Sequence, residues 1–111
     1  MIICEYLYQV GGREMYLEKL AKLLKNNNIS DGMCSVVDKD NNLLAGMRGG
    51  CYELFFKEKW LVRLIEFGRG YVYDEKFCNT EREACIEFLK MSDEDFHLAS
   101  HIPEFEEKAA S

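Results

Sequence analysis

The run from Trp60 to Leu89, W-L-V-R-L-I-E-F-G-R-G-Y-V-Y-D-E-K-F-C-N-T-E-R-E-A-C-I-E-F-L, constrains the fold more than any other part of this chain. It reads as a strand, a turn at Gly68-Arg69-Gly70, a short strand at Tyr71-Val72-Tyr73, a turn at Asp74-Glu75-Lys76 and a helix. Thr80-Glu81-Arg82-Glu83 opens that helix as a capping box, with Thr80 as N-cap and Glu83 reaching back. Asn79 competes with Thr80 for the cap. Ala84, Cys85, Phe88 and Leu89 share the inward helical face. The polar residues of the run place and cap elements, and none form a constellation suited to chemistry.

The strand at Trp60–Phe67 has a partner just upstream, Cys51–Lys57. A three-residue turn at Lys57-Glu58-Lys59 sets Phe56 against Trp60, Leu54 against Val62 and Tyr52 against Leu64. That face is wholly apolar and is the expected core face. A slip by one residue would scramble both faces. The opposite face sets Phe55 against Leu61 and Glu53 against Arg63, an opposed pair that supports the same register. Phe55, Leu61 and Ile65 make this second face half apolar. It either lies under a helix or offers a sheet surface for a partner, including a second copy of the chain.

Elsewhere the signals are local. Residues 1–10 alternate as a strand would, though a helical turn fits nearly as well, and Gly11-Gly12 follows. Residues 13–26 form an amphipathic helix burying Leu17, Leu20, Ala21 and Leu24, and Asn26-Asn27-Asn28 terminates it through a left-handed residue. Met33–Val37 and Leu43–Met47 flank a turn at residues 38–42, and Gly49-Gly50 breaks the chain again. Ser92-Asp93-Glu94-Asp95 starts a further helix with Phe96, Ala99 and Ile102 inward, which Pro103 ends or restarts, and residues 104–111 fray. The expected fold is α+β: an N-terminal helix, an antiparallel meander of four to five short strands, and C-terminal helices packed on one side.

A chain of 111 residues with 48% hydrophobic residues and one proline is expected to form a single domain, residues 1–111, with no linker. No apolar run approaches the roughly 18 residues of a membrane span, and the N-terminus lacks the basic flank of a secretory signal. Five cysteines, Cys4, Cys34, Cys51, Cys78 and Cys85, are an odd number without C-x-x-C. Reduced, mostly buried thiols and a cytoplasmic location follow. The net charge is −6, and residues 84–111 hold seven acids and two bases, so nearly all the excess sits there. That balance opposes direct nucleic-acid binding and suits a basic protein partner.

Signals for catalysis are weak. The chain has no G-x-S-x-G, P-loop or G-x-G-x-x-G, and Gly68-Arg69-Gly70 is a turn. His97 and His101 stand i, i+4 on the expected helix, as in a helical metal site, but H-L-A-S-H lacks the Glu of H-E-x-x-H. Two solvated histidines near a helix end are the plainer reading. Nothing singles out a cysteine beside either histidine as a nucleophile. The tyrosines and phenylalanines are expected in a small core rather than on an RNA-stacking sheet. No catalytic residue, metal or cofactor is therefore assigned, and the chain reads as a binding protein.

Trp60, Val62, Glu66 and Gly68, followed by Phe77, Thr80, Glu81, Glu83, Ala84, Cys85, Phe88 and Leu89, form a pattern that resembles the small immunity proteins of bacterial polymorphic-toxin and contact-dependent growth inhibition systems. With the leading helix and the Cys51–Phe56 strand, the resemblance covers most of residues 13–91. It departs where Phe67 stands in place of an arginine, with Arg69 two residues later, and in the acidic segment after Met91. The resemblance implies a protein that binds one cognate toxin domain in the cytosol and neutralises it by occlusion. A nuclease toxin with a basic cleft would suit the acidic charge. The first expected contacts are Asp93, Glu94, Asp95, Glu104, Glu106 and Glu107. Glu58 at the hairpin tip and Arg69, Tyr71 and Tyr73 come second.

Overall fold

The computed structural model describes residues 15–66 and 70–106. The readings for residues 1–14, for Phe67-Gly68-Arg69 and for 107–111, Cys4 and Glu107 among them, lie outside the described residues.

Helix α1 spans Met15–Asn26, and Leu17, Leu20, Ala21 and Leu24 are its buried face, as their spacing requires. It ends in a Schellman motif. Asn28 takes φ +56°, its N–H donates to Lys25 O, and the Ile29 N–H reaches back to Leu24 O. A single 3₁₀ turn, Asp31–Met33, leads into strand β1, Cys34–Val37, and β2 follows at Leu43–Gly46. Asp38 builds the turn between them. Its Oδ1 accepts from the N–H groups of Asp40 (2.9 Å) and Asn42 (2.8 Å), while Asn41 takes φ +69°.

Strand β3, Tyr52–Lys57, pairs with β4, Lys59–Ile65, in the register read from the sequence: Tyr52 with Leu64, Leu54 with Val62, Phe56 with Trp60. The turn is tighter than expected. Lys57 pairs with Lys59, and Glu58 alone makes the tip at φ +66°. Strand β5, Val72–Cys78, pairs antiparallel with β4. The turn expected at Asp74-Glu75-Lys76 is therefore strand. All residues from Val72 to Phe77 are exposed on this edge, so charged side chains there carry no desolvation cost and the usual strand alternation is missing.

The sheet is mixed, in the order β2-β1-β3-β4-β5. The expected meander fails at one connection. β3 does not continue beside β2 but lies parallel to β1, Cys34 against Tyr52 and Val36 against Leu54. The chain crosses the start of β1 to get there, and glycine makes the crossing possible. A Cβ on Gly50 would lie 2.3 Å from Cys34 O, and one on Gly46 (φ +77°) 1.9 Å from the same oxygen. The Cys51 N–H then bonds Gly32 O, which docks the new strand.

Helix α2, Glu81–Met91, packs on the sheet through Ala84, Cys85, Phe88 and Leu89. The capping box forms: Thr80 Oγ1 accepts from Glu83 N–H at 3.1 Å, and Glu83 Oε1 accepts from Asn79 N–H at 2.9 Å. Thr80 is thus the cap and Asn79 the donor Glu83 satisfies. The expected single helix after Ser92 is broken. α3 covers only Asp93–Phe96, His97 closes it at φ +58°, a 3₁₀ turn spans Ala99–His101, and α4 runs Ile102–Glu106. Leu98 and Phe105 join Phe96 in the core, so residues 104–106 are anchored rather than frayed. One apolar cluster runs from α1 through the sheet to α2, α3 and α4, all on one sheet face. The architecture is α+β.

Candidate functional site

The chemistry-bearing residues gather at one end of the sheet. α3 is held there by specific bonds rather than by its own four residues. Ser92 is fully buried, and its Oγ donates to Phe88 O at 2.7 Å. The Phe96 ring meets Tyr52 edge-on at 5.1 Å. The Tyr52 hydroxyl donates to Asp95 Oδ2 at 2.6 Å, and Asp93 Oδ1 accepts from the Ala99 N–H at 3.1 Å. Burial, then the bond to Asp95, holds the Tyr52 phenol well above its ordinary range, so it stays a donor. Asp93, Glu94 and Asp95 are therefore presented in a fixed arrangement, with Glu94 and Asp95 exposed.

Tyr52, Leu64 and Asp74 form one cross-strand row, so Asp74 lies two strands over from the Asp95 anchor, about 10 Å away. Tyr71 and Tyr73 flank the same end, 65% and 60% exposed, ring to ring at 5.5 Å. The Tyr73 hydroxyl bonds Glu66 Oε1 at 3.2 Å, and Glu66 N–H donates to Tyr71 O at 2.7 Å. One end of the sheet thus carries a fixed acidic segment and two exposed tyrosines.

The other expected contacts are elsewhere. Glu104 and Glu106 lie by the N-terminal end of α2, where their backbone carbonyls accept from Lys19 Nζ (2.7 Å) and Arg82 Nη1 (3.0 Å). The Lys19 and Arg82 cations therefore lie against the backbone of this segment. Glu58 stands at the hairpin tip, the end of the sheet from which α2 departs, since Trp60 pairs with Cys78. Asp93, Glu94, Asp95, Tyr71 and Tyr73 fall at the same end of the sheet, and Glu58, Glu104 and Glu106 do not. Asp74, Glu66 and Tyr52 complete the surface. Sequence reading missed them because Asp74 looked like a turn residue and Tyr52 like plain core.

The second sheet face behaves differently from the tyrosine end. Glu53 and Arg63 pair at 2.6 Å, and the Arg63 guanidinium lies 5.1 Å from the Phe55 ring centre. Leu61 and Ile65 are only 7% and 6% exposed in the single chain, so little of their area is left for a partner.

His97 and His101 do not share a helix. His97 closes α3, and His101 Nδ1 meets Glu104 Oε2 at 2.8 Å. Among the described residues no three of His, Cys, Asp and Glu cluster as metal ligands. Cys34, Cys78 and Cys85 are buried free thiols, and Cys51 is half-buried. Burial, with Asp31 adding, pushes the Cys34 thiol up to about 11. Burial likewise raises Cys78, helped by Glu87 and Glu83, and raises Cys85 well above its ordinary value. These three thiols are kept protonated, the opposite of an activated nucleophile. No described helix is long and apolar enough to cross a membrane. The chain matches no family model, no curated protein and no solved structure.

Proposed function

We propose that the chain is an immunity protein that binds a cognate toxin domain in the cytosol and neutralises it by covering its active surface. The observation that carries this reading is the fixed acidic end of the sheet: Asp93, Glu94 and Asp95 pinned by Tyr52 and Ser92, with Asp74, Glu66 and two exposed tyrosines beside them. Preorganised acids give association rate and register against a basic surface without an ordering cost on binding. Exposed tyrosines supply the rigid contact area typical of binding hot spots. The toxin this surface suits is a nuclease, because a cleft that holds phosphates is basic. Neutralisation by occlusion needs no catalytic group, cofactor or metal on the inhibitor.

The test is co-expression. A large secreted protein with a variable C-terminal domain, encoded beside this chain, supplies the candidate toxin. Growth restored by this chain, and by no immunity protein of another system, is the expected result. Unrelieved lethality of that domain, or a gene neighbourhood with no such protein, would overturn the reading.

A further inference from the structure

The outer edge of β5, whose Tyr73 and Asp74 also belong to the proposed toxin surface, carries a backbone pattern that the toxin reading does not use. Val72 to Phe77 are all exposed, with Phe77 at 63%, so among the described residues none covers this edge. The direction of its backbone groups follows from the ladder. The Ile65 N–H donates to Cys51 O on the β3 side, so the odd-numbered residues of β4 turn their backbone groups to β3. Trp60, Val62 and Leu64 turn theirs to β5, where they meet Cys78, Lys76 and Asp74. Glu75 and Phe77 are left with N–H and C=O facing outward, while the register shift between Leu64 and Ile65 takes Tyr73 out of the regular ladder as a bulge. The Glu75 N–H bonds the neighbouring side chain, Asp74 Oδ1 at 2.9 Å.

An outward edge of this kind accepts another strand. We infer that the strand it accepts is β5 of a second copy, antiparallel about a two-fold axis at Glu75, which joins two five-stranded sheets into one. The register is the reason for choosing a second copy. Two-fold pairing through the outward residues centres on Glu75, Asp74 or Lys76. Centred on Glu75, Tyr73 faces Phe77 of the other copy twice, and Asp74 faces Lys76 twice. Centred on Asp74 or Lys76, it would set an aromatic residue against Glu75 twice and lose both Asp74–Lys76 pairs. The chosen register opposes Glu75 to its own copy. Arg63, register partner of Glu75 on β4, stands beside the axis in each copy, its charge shared with Glu53. Pairing releases Asp74 from the Glu75 N–H to meet Lys76, whose existing contact to Glu87 is a loose 3.9 Å. The axis lies at the edge strand, apart from the Leu61–Ile65 face and from Asp93–Asp95.

Sedimentation velocity across a concentration series tests this on the chain alone, so its outcome is independent of any toxin. The wild type is expected to shift from monomer to dimer. Asp74→Lys and Lys76→Asp, both on an exposed edge, should each weaken self-association by about tenfold, since each opposes like charges twice. Mixed in equal amounts, those two variants should restore dimers, because each copy then meets its complement. Glu75→Gln should strengthen the dimer. A wild type that stays monomeric at all concentrations would overturn the proposal, as would charge variants that dimerise unchanged, or a mixture no better than its components.

Discussion

Two glycines decide how the chain passes β1, and they differ from a third close by. Gly46 combines φ +77° with a would-be Cβ contact of 1.9 Å to Cys34 O, whereas Gly49 has φ +84° with nothing within 4 Å. Gly46→Ala should therefore cost about 3 kcal/mol or more, because both backbone strain and a clash with main chain must be absorbed, and Gly49→Ala about 1 kcal/mol from strain alone. Urea unfolding of both variants measures the gap, and equal costs would contradict the crossing geometry. Tyr52→Phe removes the donor to Asp95 while keeping the packing, and should cost about 1.5 kcal/mol, the scale of a hydrogen bond to a charged group. Much at this scale is legible in the sequence. Glu53 against Arg63 and the Thr80–Glu83 box are short-range pairs whose residue types demand each other. The 1.9 Å contact of Gly46 is not legible, since it depends on which strand lies below.

At the scale of elements, helix α2 is central and its start is a local device. Thr80→Ala should lower stability by about 1 kcal/mol, read in the same unfolding experiment, with Thr80→Ser restoring most of it. Helices α1 and α2 are legible because each buries one stripe at helical spacing. β5 was read as a turn at Asp74-Glu75-Lys76 because an edge strand exposed on every residue to Phe77 has no alternation to betray it. The segment after Ser92 misled for another reason. His97 adopts a left-handed conformation that few non-glycine residues take, and the acidic stretch around Phe105 hides one fully buried ring. The candidate site inherits these errors. Its acidic helix, Tyr71 and Tyr73 are legible in the sequence, but Asp74 joins them only through the extended β5.

For the molecule as a whole, composition and strand count indicate α+β, but the parallel pairing of β1 with β3 is a long-range choice that no local signal encodes. The core also sets a pH limit. Cys34, Cys78, Cys85 and Tyr52 all have folded-state values raised by burial. Their contribution is complete below the ordinary values and is lost as pH rises towards the folded ones. Above pH 9.0, the ordinary thiol value, the unfolded chain holds fewer protons than the folded one, so stability should fall steadily to pH 11. Cys34→Ala should flatten that fall, and an unchanged slope would contradict the account of the core. The central claim is that a fixed acidic surface captures a basic toxin domain. Titration of the purified toxin domain with this chain at low and at physiological salt tests it most directly. The account predicts tight binding that weakens with salt, and a Glu94→Lys, Asp95→Asn variant that binds at least tenfold more weakly with a shallower salt dependence. Binding with unchanged affinity and salt slope in that variant, or no binding at either salt, would contradict it.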